Sequence, residues 1–138
     1  MKKIMLIFFL CTNFSCFYTP TGPAYTELGK EFDLQYGKKA VVGTENLYIT
    51  FKDVLEDSRC PTGYRCFWAG NGAVLLKIEK SNSDILIDTV NTTLEPQNQY
   101  YQNYNIILKN LKPYPVADSV IEKKDYIVTL LVEKMARL

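Results

Sequence analysis

Short runs of alternating apolar and polar residues constrain the fold of this chain more than any other feature. The clearest run lies over 47–52, where Leu47, Ile49 and Phe51 alternate with residues that face the other way. A period of two places every second side chain on one face of a β-strand. The sequence predicts six or seven such strands, over 32–36, 40–42, 47–55, 73–80, 85–90, 104–111 and 126–133.

The segments between these runs read as turns and loops. Residues 81–84 are Ser-Asn-Ser-Asp, so the runs on either side predict a β-hairpin. The polar stretch 91–103 predicts a longer loop, and 116–124 predicts at most a single helical turn. We therefore expect an all-β fold over 31–138: a single antiparallel β-sandwich or barrel-like domain of six to seven strands, with an immunoglobulin-like sandwich among the candidates.

The first 30 residues predict export. Lys2 and Lys3 precede an apolar run over 4–11, which is too short to span a bilayer and has the layout of a secretory signal over 1–15. The segment ending in Ser15-Cys16 resembles the lipobox of bacterial lipoproteins, although Asn13 departs from the usual aliphatic residue. This resemblance implies lipidation of Cys16, which would anchor the protein to a membrane of the bacterial cell envelope (periplasmic or outer-membrane). The alternative is ordinary cleavage and secretion.

Residues 16–30 contain several Pro and Gly and predict a tether between the lipid anchor and the domain.

The composition of the chain argues against several kinds of partner and of active site. The net charge is +1, so no basic patch for nucleic acid is expected. Histidine is absent, which removes the usual general base and the commonest metal ligand. The sequence thus predicts no catalytic residue, no cofactor and no metal, and leaves the membrane and a protein or glycan as partners.

Two close cysteines mark the most informative loop. Cys60 and Cys66 are five residues apart, with Pro61 and Gly63 between them, and in an exported protein such a pair predicts a disulfide. A structural zinc ion needs four ligands, so two cysteines without histidine make a poor zinc site. A reactive thiol favoured by Arg59 or Arg65 is the remaining alternative.

The residues around the cysteines supply a candidate binding surface. We expect Arg59 to pair bidentately with Asp57 or Glu56, and Gly70 to allow a close backbone approach. We expect Trp68, the only tryptophan, to pack over the disulfide and close one end of the core; the alternative is an exposed binding platform. The candidate surface comprises Asp57, Arg59, Tyr64, Arg65, Trp68 and Asn71.

The same loop resembles a motif of small bacterial exported proteins and lipoproteins. The shared residues are Asp-Ser-Arg-Cys-Pro over 57–61, Cys66, and Trp-Ala-Gly over 68–70. The resemblance implies an exported, disulfide-bearing β domain without an established activity.

Three functions follow as hypotheses of decreasing weight. The first is a non-enzymatic binding or assembly module of the cell envelope, anchored through Cys16. The second is a secreted protease inhibitor that presents the loop between Cys60 and Cys66, with Arg65 as its anchor. The third is a small hydrolase that uses carboxylates or tyrosines.

Overall fold

Nine β-strands lie in the part of the chain that the structure describes. The structure, a computed structural model, describes residues 22–81 and 84–136, so the predicted signal and Cys16 lie outside the described residues. The strands are β1 (Ala24–Thr26), β2 (Glu31–Gln35), β3 (Lys39–Val42), β4 (Leu47–Asp57), β5 (Gly72–Lys80), β6 (Leu86–Asn91), β7 (Asn98–Tyr101), β8 (Tyr104–Lys112) and β9 (Ile127–Lys134). A 3₁₀ turn, Lys123–Asp125, precedes β9, and within the described ranges no helix is long and apolar enough to cross a membrane.

The strands form two sheets. One has five strands in the order β1-β3-β4-β5-β6, and the other has four in the order β2-β9-β8-β7. Every pair of neighbouring strands is antiparallel except β1 and β3, which run parallel. The all-β sandwich expected from the alternating runs is confirmed.

The core lies between the two sheets. Leu47, Ile49 and Phe51 of β4 are fully buried, as the period-two pattern predicts. The facing sheet contributes the alternate residues of β8 and β9. The other large, fully buried side chains are Leu34, Leu76, Ile78, Tyr104, Ile106, Leu111, Leu130, Val42 and Val74.

Two strands were not expected, which raises the count from six or seven to nine. β1 lies inside the predicted tether and β7 inside the predicted loop over 91–103. Both are too short to show alternation, and pairing with a neighbour specifies them instead. β1 adds to the edge of β3, and β7 forms a tight hairpin with β8 around Gln102, whose φ is 55°.

The strand order is not that of an immunoglobulin domain. In that fold the chain crosses repeatedly between sheets, so that neighbours within a sheet are distant in sequence. Here β3 to β6 follow one another as a meander in one sheet, and β7 to β9 do the same in the other. The hairpin predicted across 81–84 is confirmed by the antiparallel pairing of β5 with β6.

Irregular pairing with β5 at the end of β4 sets the directions of the side chains of Glu56 and Asp57. The register between β4 and β5 shifts between Phe51 and Asp53 and again between Val54 and Glu56. Such bulges re-aim side chains at the end of a strand. Glu56 consequently points to solvent, while the side chain of Asp57 is only 9% exposed.

Candidate functional site

The loop over 58–71, here called the cysteine loop, continues the β4–β5 hairpin. The Ser58 amide donates to the carbonyl of Asn71 at 2.7 Å, and the Cys60 amide donates to the carbonyl of Ala69 at 2.8 Å. Gly70 allows this closure, since its φ is +73° and a Cβ there would lie 1.8 Å from the Ser58 carbonyl oxygen. The close approach predicted for Gly70 is confirmed.

Arg59 fixes the cysteine loop to the sandwich. Its Nε and Nη2 donate to the two carboxylate oxygens of Asp57, each at 2.7 Å, which confirms the predicted bidentate pair. Nη1 donates to the carbonyl of Leu111, and Nη2 also donates to the carbonyl of Pro113 at 2.9 Å. The guanidinium lies over the ring of Tyr114, 5.1 Å from its centroid. Arg59 is 6% exposed, so its role is structural.

The ionisation of Asp57 follows from this packing. Burial opposes its charged form, but the hydrogen bonds from Arg59 and from the Tyr126 hydroxyl, the latter at 2.8 Å, outweigh that effect. The pKa of Asp57 is therefore below its ordinary value. Burial, together with the bond to this carboxylate, raises the pKa of Tyr126 to about 12. Asp57 is thus a charged partner of Arg59 rather than a proton-transferring group.

A disulfide and a neighbouring segment brace the outer half of the cysteine loop. Cys60 and Cys66 are bonded, with their Cα atoms 5.9 Å apart, which confirms the predicted disulfide. The Thr62 amide donates to the carbonyl of Pro115 at 2.9 Å, and Thr62 forms an isolated parallel bridge with Val116. The Tyr64 hydroxyl donates to the Asp118 carboxylate at 3.0 Å. The loop is therefore held on both flanks.

The braced loop presents two aromatic side chains to solvent. Phe67 is 101% exposed and Trp68 is 78% exposed. We call these two residues the aromatic tip; their ring centroids lie 6.3 Å apart with planes inclined by 40°. The expectation that Trp68 packs over the disulfide and closes the core is wrong. Arg59 and Leu111 already occupy the end of the core beneath the loop, so the exposed platform is what the structure shows.

A cleft of about 300 Å³ opens beside Trp68. We call it the tip cleft; it is lined by Glu56, Ser58, Trp68, Ala69, Gly70, Asn71, Thr93 and Leu94. Asn71 builds its far side, because its side-chain oxygen accepts from the amides of Thr93 and Leu94 at 3.2 and 3.4 Å. Its amide group donates to the Asn91 side chain at 2.9 Å. Asn71 thereby positions Leu94, which is 60% exposed.

The six residues of the predicted binding surface divide into two groups. Asp57, Arg59 and Asn71 are turned inward and engaged by hydrogen bonds, so they support the surface and do not form it. Tyr64, Arg65 and Trp68 are exposed on the cysteine loop.

Three further residues of this surface were not predicted as site residues. Phe67, which precedes Trp68, is not among the predicted site residues. Two adjacent aromatic residues in a loop that contains Pro and Gly are nevertheless a pattern that can indicate an exposed binding surface. The sequence suggests Glu56 as a partner for Arg59 and as one of two adjacent carboxylates, but not as part of a binding surface. Leu94 comes from a loop 26 positions after Trp68, and nothing in the sequence links the two.

The site holds no arrangement typical of a metal centre. Among the described residues, no group of three or more histidine, cysteine, aspartate or glutamate side chains is placed to hold a metal ion. The adjacent carboxylates of Glu56 and Asp57 point in different directions, one outward and one into the sandwich.

Comparison with known proteins gives no further identification. Neither a protein family model, nor a curated protein, nor a solved structure matches this chain. The function of the site is therefore argued from its own geometry.

Proposed function

We propose that this protein is a non-enzymatic binding module of the bacterial cell envelope, and that the aromatic tip is its contact surface. The exposure of Phe67 and Trp68 on a braced loop carries the proposal. Large aromatic side chains that remain in water lose the free energy that burial would provide. Tryptophan is also among the residues that contribute most to protein interfaces.

The bracing of the cysteine loop favours binding for a second reason. Ordering a flexible loop upon association costs free energy, and a loop that is already ordered avoids this cost. The disulfide, the Thr62–Val116 bridge and the Tyr64–Asp118 hydrogen bond fix the segment before any partner arrives. None of these contacts uses the ring of Phe67 or Trp68, which leaves both for a partner.

The test is capture from a solubilised envelope fraction with the purified domain as bait. We expect a Phe67→Ala/Trp68→Ala double variant to lose the partner that the wild-type domain retains. Because both side chains are exposed, we expect the free energy of unfolding of the variant to lie within about 0.5 kcal/mol of the wild-type value. The thermal unfolding midpoint should therefore change little.

The matched control is Ile85→Ala/Ile87→Ala. These two side chains are each 57% exposed, and they lie toward the opposite end of the β5–β6 hairpin from the cysteine loop. The control should capture the same partner as the wild-type domain. Capture that survives the tip variant, or that both double variants lose equally, would remove the tip from this role.

We further propose that Cys16 carries the lipid that anchors the module. The signal layout and the lipobox resemblance of Ser15-Cys16 support this, and the Cys60–Cys66 disulfide is compatible with an oxidising compartment. Intact mass after expression in a lipidating host should show cleavage before Cys16 and added acyl chains. A Cys16→Ser variant should lose the acyl mass. Cleavage without acyl mass in the wild type supports secretion instead.

A secreted inhibitor is the second candidate function. It is favoured by the position of Arg65, which is exposed inside the ring closed by the disulfide. Inhibition of a trypsin-like protease that Arg65→Ala abolishes and Trp68→Ala leaves intact would select this function over the first.

A further inference from the structure

The tip cleft combines three chemical features in one place. Trp68 provides an exposed aromatic ring, Leu94 provides an exposed aliphatic group, and Glu56 provides a carboxylate. Among the described residues that line the cleft, Glu56 alone is charged. The lining therefore carries one negative charge and no positive charge.

The Glu56 carboxylate has no hydrogen-bond or ion-pair partner within the part of the chain that the structure describes. It takes part in no hydrogen bond or ion pair with another described residue, whereas Asp57 beside it is fully engaged by Arg59 and Tyr126. The bulge between Val54 and Glu56 turns it outward at the end of β4.

Two polar side chains that line the tip cleft, Ser58 and Asn71, are engaged by hydrogen bonds within the fold. The Ser58 hydroxyl donates to the Asn71 carbonyl and accepts from the Asn71 amide, both at 3.2 Å. The side-chain amide of Asn71 donates to Asn91, and its oxygen accepts from Thr93 and Leu94. A ligand that enters the cleft consequently meets apolar surface, an aromatic face, the hydroxyl of Thr93 and the carboxylate of Glu56.

From this arrangement we infer that the tip cleft binds a lysine or arginine side chain of a partner protein. The aliphatic part of such a side chain packs against Leu94 and the indole, as long basic side chains do on apolar surfaces. The cationic group then lies near the face of Trp68 and pairs with Glu56. The inference rests on the proposed function and names the chemistry of the partner.

The same observations disfavour two other ligands. A neutral glycan presents many hydroxyl groups, whereas Ser58 and Asn71 are engaged within the fold and leave only two polar side chains of the described lining, Glu56 and Thr93, to pair with them. The aromatic tip could insert into a lipid bilayer. The unpaired Glu56 carboxylate would then enter a region of low polarity, which costs free energy. A basic protein segment uses all three features.

The experiment follows the fluorescence of Trp68, which reports on the cleft directly because the chain has one tryptophan. The probe is a terminally blocked Gly-Lys-Gly-Lys-Gly peptide, titrated into the domain at low ionic strength. We expect a saturable change in emission, and an affinity at least threefold weaker for the same peptide with both lysines acetylated.

The decisive variant is Glu56→Gln, which keeps the shape of the side chain and removes its charge. We expect it to weaken peptide binding about threefold to fivefold, as for a solvent-accessible ion pair. The matched control is Glu133→Gln, because Glu133 is also exposed and lies near the other end of β9 from the Asp57–Tyr126 contact. The control should bind the peptide as the wild type does.

Several results would overturn the inference. Equal weakening by Glu56→Gln and Glu133→Gln shows general attraction between charges. Equal binding of the acetylated peptide shows that the cation is not recognised. An emission change with chitotetraose or phosphatidylcholine vesicles but not with the lysine peptide assigns the cleft to a glycan or to a membrane. If the peptide fails while the tip double variant still abolishes envelope capture, the proposed function stands and this inference alone fails.

Discussion

At the scale of single residues, Arg59 explains why the cysteine loop has one conformation. Its guanidinium donates to Asp57 twice and to the carbonyls of Leu111 and Pro113, which belong to the other sheet and the segment after it. A buried ion pair is tolerable only when its remaining hydrogen-bonding groups are satisfied, as they are here. The sequence predicts a pairing of Arg59 with Asp57 or Glu56, since both carboxylates lie close by in the chain. It cannot predict the carbonyl partners, which are more than 50 positions away.

Replacement of Asp57 by Asn should destabilise the fold in a pH-dependent way. At neutral pH we expect a loss of roughly 3 kcal/mol, because the buried guanidinium of Arg59 is left unpaired. The folded protein holds the pKa of Asp57 below its ordinary value of 3.8. The stabilisation from this group is therefore fully present above about pH 4 and is lost as the pH falls through the lowered pKa.

Chemical denaturation between pH 2 and pH 7 measures this effect. The wild-type stability should fall more steeply in acid than that of Asp57→Asn. Part of the acid slope should remain in the variant, since hydrogen bonds to Asp33, Asp53, Glu45 and Glu79 lower the pKa values of those carboxyls as well. Glu133→Gln, which removes an exposed carboxylate away from the Asp57–Tyr126 contact, serves as the matched control. Identical acid slopes for Asp57→Asn and the wild type would contradict this account.

At the scale of elements, the cysteine loop shows how far local patterns reach. The spacing of Cys60 and Cys66 predicts the disulfide, and Gly70 predicts the close backbone approach, since both depend on neighbours in sequence. The orientation of Trp68 depends instead on what already fills the end of the core. Leu111, which is buried there, and Tyr114, whose ring lies against Arg59, both come from segments far along the chain.

Removal of the disulfide should loosen the cysteine loop without unfolding the sandwich. A Cys60→Ala/Cys66→Ala variant should lose roughly 2 kcal/mol, which is the loop-closure contribution for so small a ring. Capture of the partner should weaken as well, because Phe67 directly follows Cys66 and loses its fixed position. Denaturation and capture, each with and without a reducing agent, provide the measurement. The wild type in reductant should match the variant, and an unchanged unfolding midpoint in both cases would mean that the bond contributes nothing.

At the scale of the whole molecule, the sequence pattern predicts the seven strands other than β1 and β7, but not the arrangement of the sheets. A period of two identifies the buried face of β4, β5 and β9, which is enough to predict a sandwich. The alternation does not indicate which strands pair with each other. The meander order and the parallel pairing of β1 with β3 therefore could not be predicted from the sequence. The same limit hid the tip cleft, whose walls come from the cysteine loop and from the loop before β7.

The parallel pair moves the start of the domain, and this can be tested by truncation. The sequence places the boundary at residue 31, yet Ala24, Tyr25 and Thr26 pair with β3. The Gly43 amide also donates to the Thr26 carbonyl at 2.7 Å, and the Gly29 amide donates to the Val132 carbonyl at 2.8 Å. A chain that begins at Glu31 loses all these contacts, and we expect it to be about 2 kcal/mol less stable than a chain that begins at Gly22.

Loss of β1 should also change association. β3 would become an edge strand with unpaired amide and carbonyl groups, which can pair with a second copy. We therefore expect the chain that begins at Glu31 to dimerise or aggregate at concentrations where the chain that begins at Gly22 does not associate further. Urea denaturation gives the stability difference, and sedimentation velocity gives the association. Equal stability and equal sedimentation of the two chains would return residues 24–30 to the role of a tether, because the contacts of β1 would then contribute nothing to the fold.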